Sequence, residues 1–257
     1  MCFDTDARPP FPPIRGSALD SRDVTLSSAD GTRVAAFSAR ATGANGAGTV
    51  IIPDVRGLHP YYEELALRFA EAGVHAVALD LYSRSAGTGK RGEGFEYEPH
   101  VLALTRDTVN ADIAAAVDYL HSTDGGAPQR SYSVGFCLGG RISLVQAAQG
   151  LGLDGVVAFY GPPTGQHRSG MQPPIELVDR FSCDVLALYG GADHGIPAAS
   201  RDAFDRALDA AGVAHRSVVY EGAPHSFFDR KSAEFADASA DAWLQMLDFM
   251  GVERTGH

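Results

Sequence analysis

A cysteine flanked by glycines is the sharpest chemical signal in the chain. Cys137 stands in Tyr132-Ser133-Val134-Gly135-Phe136-Cys137-Leu138-Gly139-Gly140-Arg141, an apolar run that passes through Gly-x-Cys-x-Gly into helical spacing. This is the pattern of a nucleophile elbow with sulfur in the serine position. Gly135 and Gly139 permit a sharp strand-to-helix turn, so the side chain between them projects above a sheet at a helix N-terminus. Unpaired N–H groups and the helix dipole favour a thiolate there. A lone cysteine is elsewhere most often an inert buried side chain. The strand–turn–helix context points instead to nucleophilic catalysis.

An elbow nucleophile needs an acid and then a histidine, each after a later strand. Asp193 follows the apolar run 185–189 in Gly190-Gly191-Ala192-Asp193-His194, and His225 follows the run 216–220 in Tyr220-Glu221-Gly222-Ala223-Pro224-His225-Ser226-Phe227. In this arrangement His225 takes the thiol proton, while Asp193 orients the imidazole and stabilises its charged form. Singly, Asp193 reads as a helix cap and His225 as a loop residue; their order after Cys137 favours catalysis. His194 is a rival base, weakened by having the expected acid as its neighbour. The oxyanion hole requires the N–H after the nucleophile and one from the loop after the third strand, hence Leu138 and Val55.

These residues need a scaffold, and the pattern supplies one. Segments 24–26 and 33–38 flank Asp30-Gly31, a hairpin signal. Apolar runs at 49–53, 75–81, 132–136, 155–160, 185–189 and 216–220 alternate with helical spacing at 61–72, 106–121, 138–150, 198–211 and 232–250. The alternation predicts an α/β fold with a mostly parallel central sheet and helices on both faces. Sites in such sheets form at the carboxyl ends of the strands. Residues 1–20, with Pro9, Pro10, Pro12 and Pro13, read as a flexible N-terminal arm, and residues 21–257 as a single domain. The stretch 83–99, with Gly87, Gly89, Gly92 and Gly94 among charges, reads as a mobile loop near the site.

Composition narrows the function classes. With 45% hydrophobic and 21% charged residues, 257 residues can bury a core without disulfide or metal staples. A net charge of −11 repels phosphate backbones and anionic lipid, so neither nucleic acid nor membrane is an expected partner. Cys2, Cys137 and Cys183 form no Cys-x-x-Cys pair, and no uncharged apolar stretch approaches the ~18 residues of a membrane span; a cytoplasmic location is the expectation. The nine histidines form no metal motif, and two Gly-x-Gly-x-x-Gly matches, at 87–92 and 150–155, lack a strand running directly into a helix. No metal or dinucleotide is therefore expected.

The three motifs around Cys137, Asp193 and His225 resemble those of dienelactone hydrolases, as does Asp80-Leu81-Tyr82-Ser83-Arg84. The resemblance runs from about residue 49 to 250. It implies a cofactor-free α/β-hydrolase fold opening a lactone, carboxymethylenebutenolidase-like, or cleaving a small ester. It also implies an acid that holds the resting thiol on the loop after the third strand, a Glu in the family. Asp54 in Ile51-Ile52-Pro53-Asp54-Val55-Arg56-Gly57 occupies that place, one methylene shorter, and reads alternatively as a turn cap. The family's arginine for the substrate carboxylate, four residues after the histidine, is here Asp229, with Arg230 next to it. Arg56, His59, Arg84 and Arg106 are other candidates. The expected partner is a small-molecule ester or lactone, and the expected state a monomer or weak homodimer. The alternatives are a broader carboxylesterase on small activated esters, or a non-catalytic small-molecule binding protein on the same fold.

Overall fold

In a computed structural model the protein is described over residues 8–10 and 19–252. β1 (Leu19–Ser27) and β2 (Arg33–Ala41) form the hairpin around Asp30-Gly31, with Gly31 at φ 82° and the Thr32 N–H donating to Asp30 Oδ1 at 3.0 Å. β2 runs antiparallel to β4 (His75–Leu79). From β4 onward the sheet is parallel through β3 (Ala47–Ile52), β5 (Arg130–Phe136), β6 (Gly155–Phe159), β7 (Asp184–Gly190) and β8 (His215–Tyr220). The spatial order is β1-β2-β4-β3-β5-β6-β7-β8.

Strands β3, β4 and β6 are buried throughout, which is why they read as continuous apolar runs rather than alternating ones. One face is covered by α1 (Pro60–Glu71) and α7 (Ala236–Phe249), through Leu65, Phe69, Trp243 and Met246. The other is covered by α4 (Arg106–His121), α5 (Leu138–Gln146) and α6 (Ala198–Ala211), through Ile113, Ile142 and Phe204. From β3 the chain passes through α1 to β4 on one side, and only later to β5 on the other. The switch point therefore lies at the carboxyl ends of β3 and β5.

Several boundaries differ from expectation for local reasons. The strand expected over 75–81 stops at Leu79, because Asp80 turns its carboxylate onto the Leu58 and Tyr82 N–H groups and the Ser83 hydroxyl. The loop expected over 83–99 contains α2 (Ser83–Ala86) and the start of α3 (Glu98–Ala103). Its middle is fastened inward by Arg91, which is buried and paired with Asp80 at 2.7 Å. The last helix begins at Ala236 because residues 226–235 form successive turns. Most of the expected arm lies outside the described residues; Leu19 and Asp20 open β1, and Arg8 pairs with Glu64 at 2.8 Å. Among the described residues no helix is long and apolar enough to cross a membrane.

Candidate active site

One residue makes the turn between β5 and α5. Cys137 has φ 55° and ψ −112°, a conformation a non-glycine residue keeps only when its surroundings enforce it. Glycines are what let those surroundings close in. A Cβ on Gly135 would stand 1.9 Å from the Gly139 carbonyl oxygen, and one on Gly139 would stand 2.1 Å from that of Ile52. The Cys137 N–H donates to the Phe159 carbonyl at 3.0 Å, and its own carbonyl accepts from the Arg141 N–H at 3.0 Å. The elbow is thus held against both β3 and β6. We expect Gly135→Ala to cost about 3 kcal/mol or more, since the clash is with backbone that no rotamer change relieves. Urea melts check it, and a loss below about 1 kcal/mol contradicts it.

Beyond β7, Asp193 is buried; its Oδ1 accepts the Gly195 N–H at 2.9 Å and its Oδ2 lies 2.7 Å from His225 Nδ1. Burial pushes the Asp193 carboxyl up, but the His225 hydrogen bond and charge, the Gly195 amide and the Arg201 guanidinium together hold it below the usual range. Asp193 is therefore ionised at neutral pH. With Nδ1 committed to it, Nε2 is the nitrogen left for proton transfer. The His225 side chain is 32% exposed, and its ring packs 4.8 Å from that of Tyr160. His194, the rival base, is exposed, and the ring that binds Asp193 is that of His225.

The close approach of Gly139 to the Ile52 and Pro53 carbonyls brings the chain after β3 alongside the elbow. Leu138 is the first residue of α5, so its N–H has no acceptor within the helix. Val55 lies on the adjoining loop, where its carbonyl accepts the Tyr82 hydroxyl at 2.7 Å. Asp54 is completely buried. Its N–H donates to the Tyr62 hydroxyl at 3.0 Å and its Oδ1 caps the turn by accepting the Arg56 N–H at 2.9 Å.

The arginine candidates separate in space. Arg56, with His59, Pro60, Phe95 and residues 92–94, lines a cavity of about 120 Å³ next to this loop. Arg84 is turned elsewhere. It grips Asp112 with two bonds of 2.7 and 2.8 Å, and also binds Asp30 at 2.6 Å and Ser28 at 3.0 Å, tying α2 to α4 and the β1–β2 turn. Two carboxylates already neutralise it, so nothing frees it for substrate. Arg106 pairs with Asp107 on exposed surface. Arg230 follows Asp229 in the turns after His225 and is half-buried. Among the described residues no group of three or more His, Cys, Asp or Glu side chains could hold a metal.

His59 carries a consequence for stability. Burial, aided by the Arg56 charge, lowers its imidazole to about 3. The unfolded chain, titrating near 6.5, then binds more protons than the folded one between about pH 3 and 6.5. Stability therefore falls as pH drops through that window, by up to ~1.4 kcal/mol per pH unit from this group. Burial lowers His75 and His167 too, steepening the slope. We expect His59→Asn to flatten the pH dependence of urea melts between pH 4 and 6.5; an unchanged slope contradicts this.

Tyr160 is the site residue the motif reading did not single out. The available signal is its place as the last residue of the apolar run 155–160, at the carboxyl end of a strand; the structure ends β6 at Phe159 and leaves Tyr160 just beyond it.

The Dienelactone hydrolase family profile matches residues 34–253. A protein of Salmonella typhimurium named "Putative carboxymethylenebutenolidase" is 30% identical over 236 residues, 89% of this chain and 86% of that one. A protein of Methylorubrum extorquens with the same name is 31% identical over 204 residues, 78% and 70% of the two chains. The crystal structure of "Putative Dienelactone Hydrolase" from Klebsiella pneumoniae superposes with a TM-score of 0.79 at 26% identity, over 92% of this chain and 100% of that one. The elbow and the paired Asp193 and His225 sit on the sheet those proteins share: the chain belongs to the dienelactone hydrolase family, carboxylic ester hydrolases built on the α/β-hydrolase fold.

Proposed function

We propose that the protein opens a lactone or cleaves a small activated ester through Cys137, His225 and Asp193. The observation that carries this reading is the 2.7 Å bond between Asp193 and His225 Nδ1, at the sheet end where the Cys137 elbow emerges. His225 Nε2 takes the Cys137 thiol proton, and the sulfur attacks the substrate carbonyl carbon. The C=O electron pair moves onto oxygen, where the Leu138 and Val55 amides receive the charge. As the tetrahedral intermediate collapses, the C–O bond breaks and Nε2 returns its proton to the leaving oxygen, leaving a thioester. Water, deprotonated by Nε2, then attacks the thioester and expels the thiolate, which regains the proton. In a lactone the leaving oxygen stays tethered to the acyl group, so one hydroxy acid, or its keto form, is released.

A thiol nucleophile restricts the substrate. The first intermediate partitions toward the better leaving group, and a thiolate leaves ahead of a simple alkoxide, so productive turnover needs an enol or another stabilised leaving oxygen. The test is a panel of p-nitrophenyl esters and lactones assayed with wild type and Cys137→Ala. It includes one carboxylated lactone and its methyl ester, because Arg56 lines the neighbouring cavity. Absence of Cys137-dependent turnover across the panel overturns the proposal and favours a binding protein.

Thiol reactivity gives a separate check. Burial raises the Cys183 thiol to about 12, so it is inert at neutral pH. Iodoacetamide inactivation is expected to track label on Cys137 and not on Cys183, as read by mass spectrometry. Should Asp54 hold the resting thiol, Asp54→Ala speeds this alkylation in the absence of substrate; an unchanged rate limits Asp54 to the turn.

A further inference from the structure

Tyr160 is the first residue beyond β6 and sits at φ 39°, in the left-handed region, with its N–H donating to the Leu188 carbonyl at 2.8 Å. A fully buried tyrosine held there is backbone strain that the fold must offset. Its ring lies against the His225 imidazole. Its hydroxyl donates to Asp229 Oδ2, while Asp229 Oδ1 accepts the Arg230 N–H. Burial and the Asp229 charge raise the Tyr160 phenol well above its ordinary value, so the phenol stays protonated and is the donor. Asp229, only 2% exposed, thus meets donors at both oxygens, the pattern an ionised carboxylate accepts.

Fastening the turns after His225 does not require this pair. The Tyr61 hydroxyl already donates to the Phe228 carbonyl at 3.3 Å, and the Ser239 hydroxyl to that of Phe227 at 3.0 Å. A buried charge is a costly fastener where neutral ones suffice. What the pair adds is contact with the one imidazole that binds Asp193.

We propose that Tyr160 and Asp229 are a positioning pair for His225, in which the ring braces the imidazole and the buried carboxylate both holds the ring and adds a second negative charge beside that of Asp193. The inference rests on His225 being the base of the proposed triad. Facing this region from other elements are Asp193 after β7, Arg201 of α6 acting on Asp193, Cys137 at the elbow, Asp54 after β3, and the neutral phenols of Tyr61 and Tyr62 on α1. A negative Asp229 stabilises the imidazolium form and so raises the pH below which His225 is too protonated to act as base.

Two variants test the pair. Asp229→Asn keeps the shape and an acceptor oxygen but deletes the charge, and Tyr160→Phe keeps the ring but deletes its tether. Each is assayed on p-nitrophenyl acetate for kcat, KM and the pH profile of kcat/KM, beside thermal melts and His225→Ala. Asp229→Asn is expected to move the acid limb of kcat/KM down by about 1 pH unit. Tyr160→Phe is expected to lower kcat about tenfold with KM unchanged. An unmoved acid limb in Asp229→Asn overturns the inference, as does a kcat loss in Tyr160→Phe that only follows a loss of folded protein. If Asp229→Asn does not fold, the split between kcat and KM in Tyr160→Phe decides. Turnover surviving in His225→Ala refutes the triad itself, whereas an inactive His225→Ala beside an unmoved Asp229→Asn profile refutes only the positioning pair.

Discussion

Cys137→Ala is expected to lower kcat/KM by about 10⁴–10⁶-fold on every ester or lactone the wild type turns over, with thermal and urea melts little changed. The magnitude follows from what the thiol does. In the proposed mechanism it forms the covalent bond that splits one difficult acyl transfer into two easier ones, and Cys183, held protonated by burial, does not replace it. Activity well above background would survive if, as proposed, the Leu138 and Val55 amides form the oxyanion hole and go on polarising a bound carbonyl. Stability changes little because the strain at φ 55° is borne by the surrounding glycine contacts, which alanine leaves in place. Cys137→Ser separates two accounts of the sulfur. If His225 is an effective general base, serine restores measurable turnover; if the site depends on a ready thiolate, it does not. A Cys137→Ala enzyme retaining a tenth of wild-type activity would remove the covalent mechanism altogether.

Asp193→Asn is expected to lower kcat about 10⁴-fold while KM changes little. The carboxylate accepts a proton-bearing Nδ1 and so leaves Nε2 unprotonated, as the proposed base must be; an asparagine turned to donate its NH₂ selects the opposite tautomer, with the proton on the wrong nitrogen. The substitution also removes the charge that, in the proposed mechanism, stabilises the imidazolium formed in the first step. It has a signature in stability as well. Asp193 is held below its usual range in the folded protein, so its contribution is present above pH ~3.8 and is lost as pH falls through the lower folded value. Asp193→Asn should therefore lower stability at pH 7 and narrow its gap to wild type in strong acid. A kcat within tenfold of wild type would mean that Asp193 caps its loop through Gly195 and leaves the orientation of His225 to Tyr160 and Asp229.

The elements that were legible are those whose information is local. Five of the strands, β3 to β7, announce themselves because doubly covered strands are continuous apolar runs, and the hairpin because Asp30-Gly31 meets a backbone requirement at φ 82°. The elbow is legible for the same reason: Gly135 and Gly139 stand where backbone passes within the radius of a methyl group. Motif order even paired Asp193 with His225, because in a parallel sheet residues that follow successive strands are delivered to one edge. The misread stretches were those governed by a distant partner. Residues 83–99 look mobile by composition, yet Arg91 is drawn inward by Asp80, and Asp80 is also what ends β4 two residues early.

The arginines show where sequence stops informing. Arg84 lies just past a strand end, as a substrate ligand should, but its partners are Asp112 and Asp30, 28 and 54 residues away. Asp229 looked like a departure from a pattern and nothing more; only folding brings it to Tyr160, 69 residues earlier, and brings that ring to His225. Periodicity, glycine sterics and strand order act over a few residues or through the topology, so the sheet, the turn that carries Cys137 and the order of its two partners can be read from the residue pattern. Which charges neutralise one another is set only on folding, because a long polar side chain can satisfy itself with any group within about 3 Å, and that neighbourhood does not exist until the strands have packed.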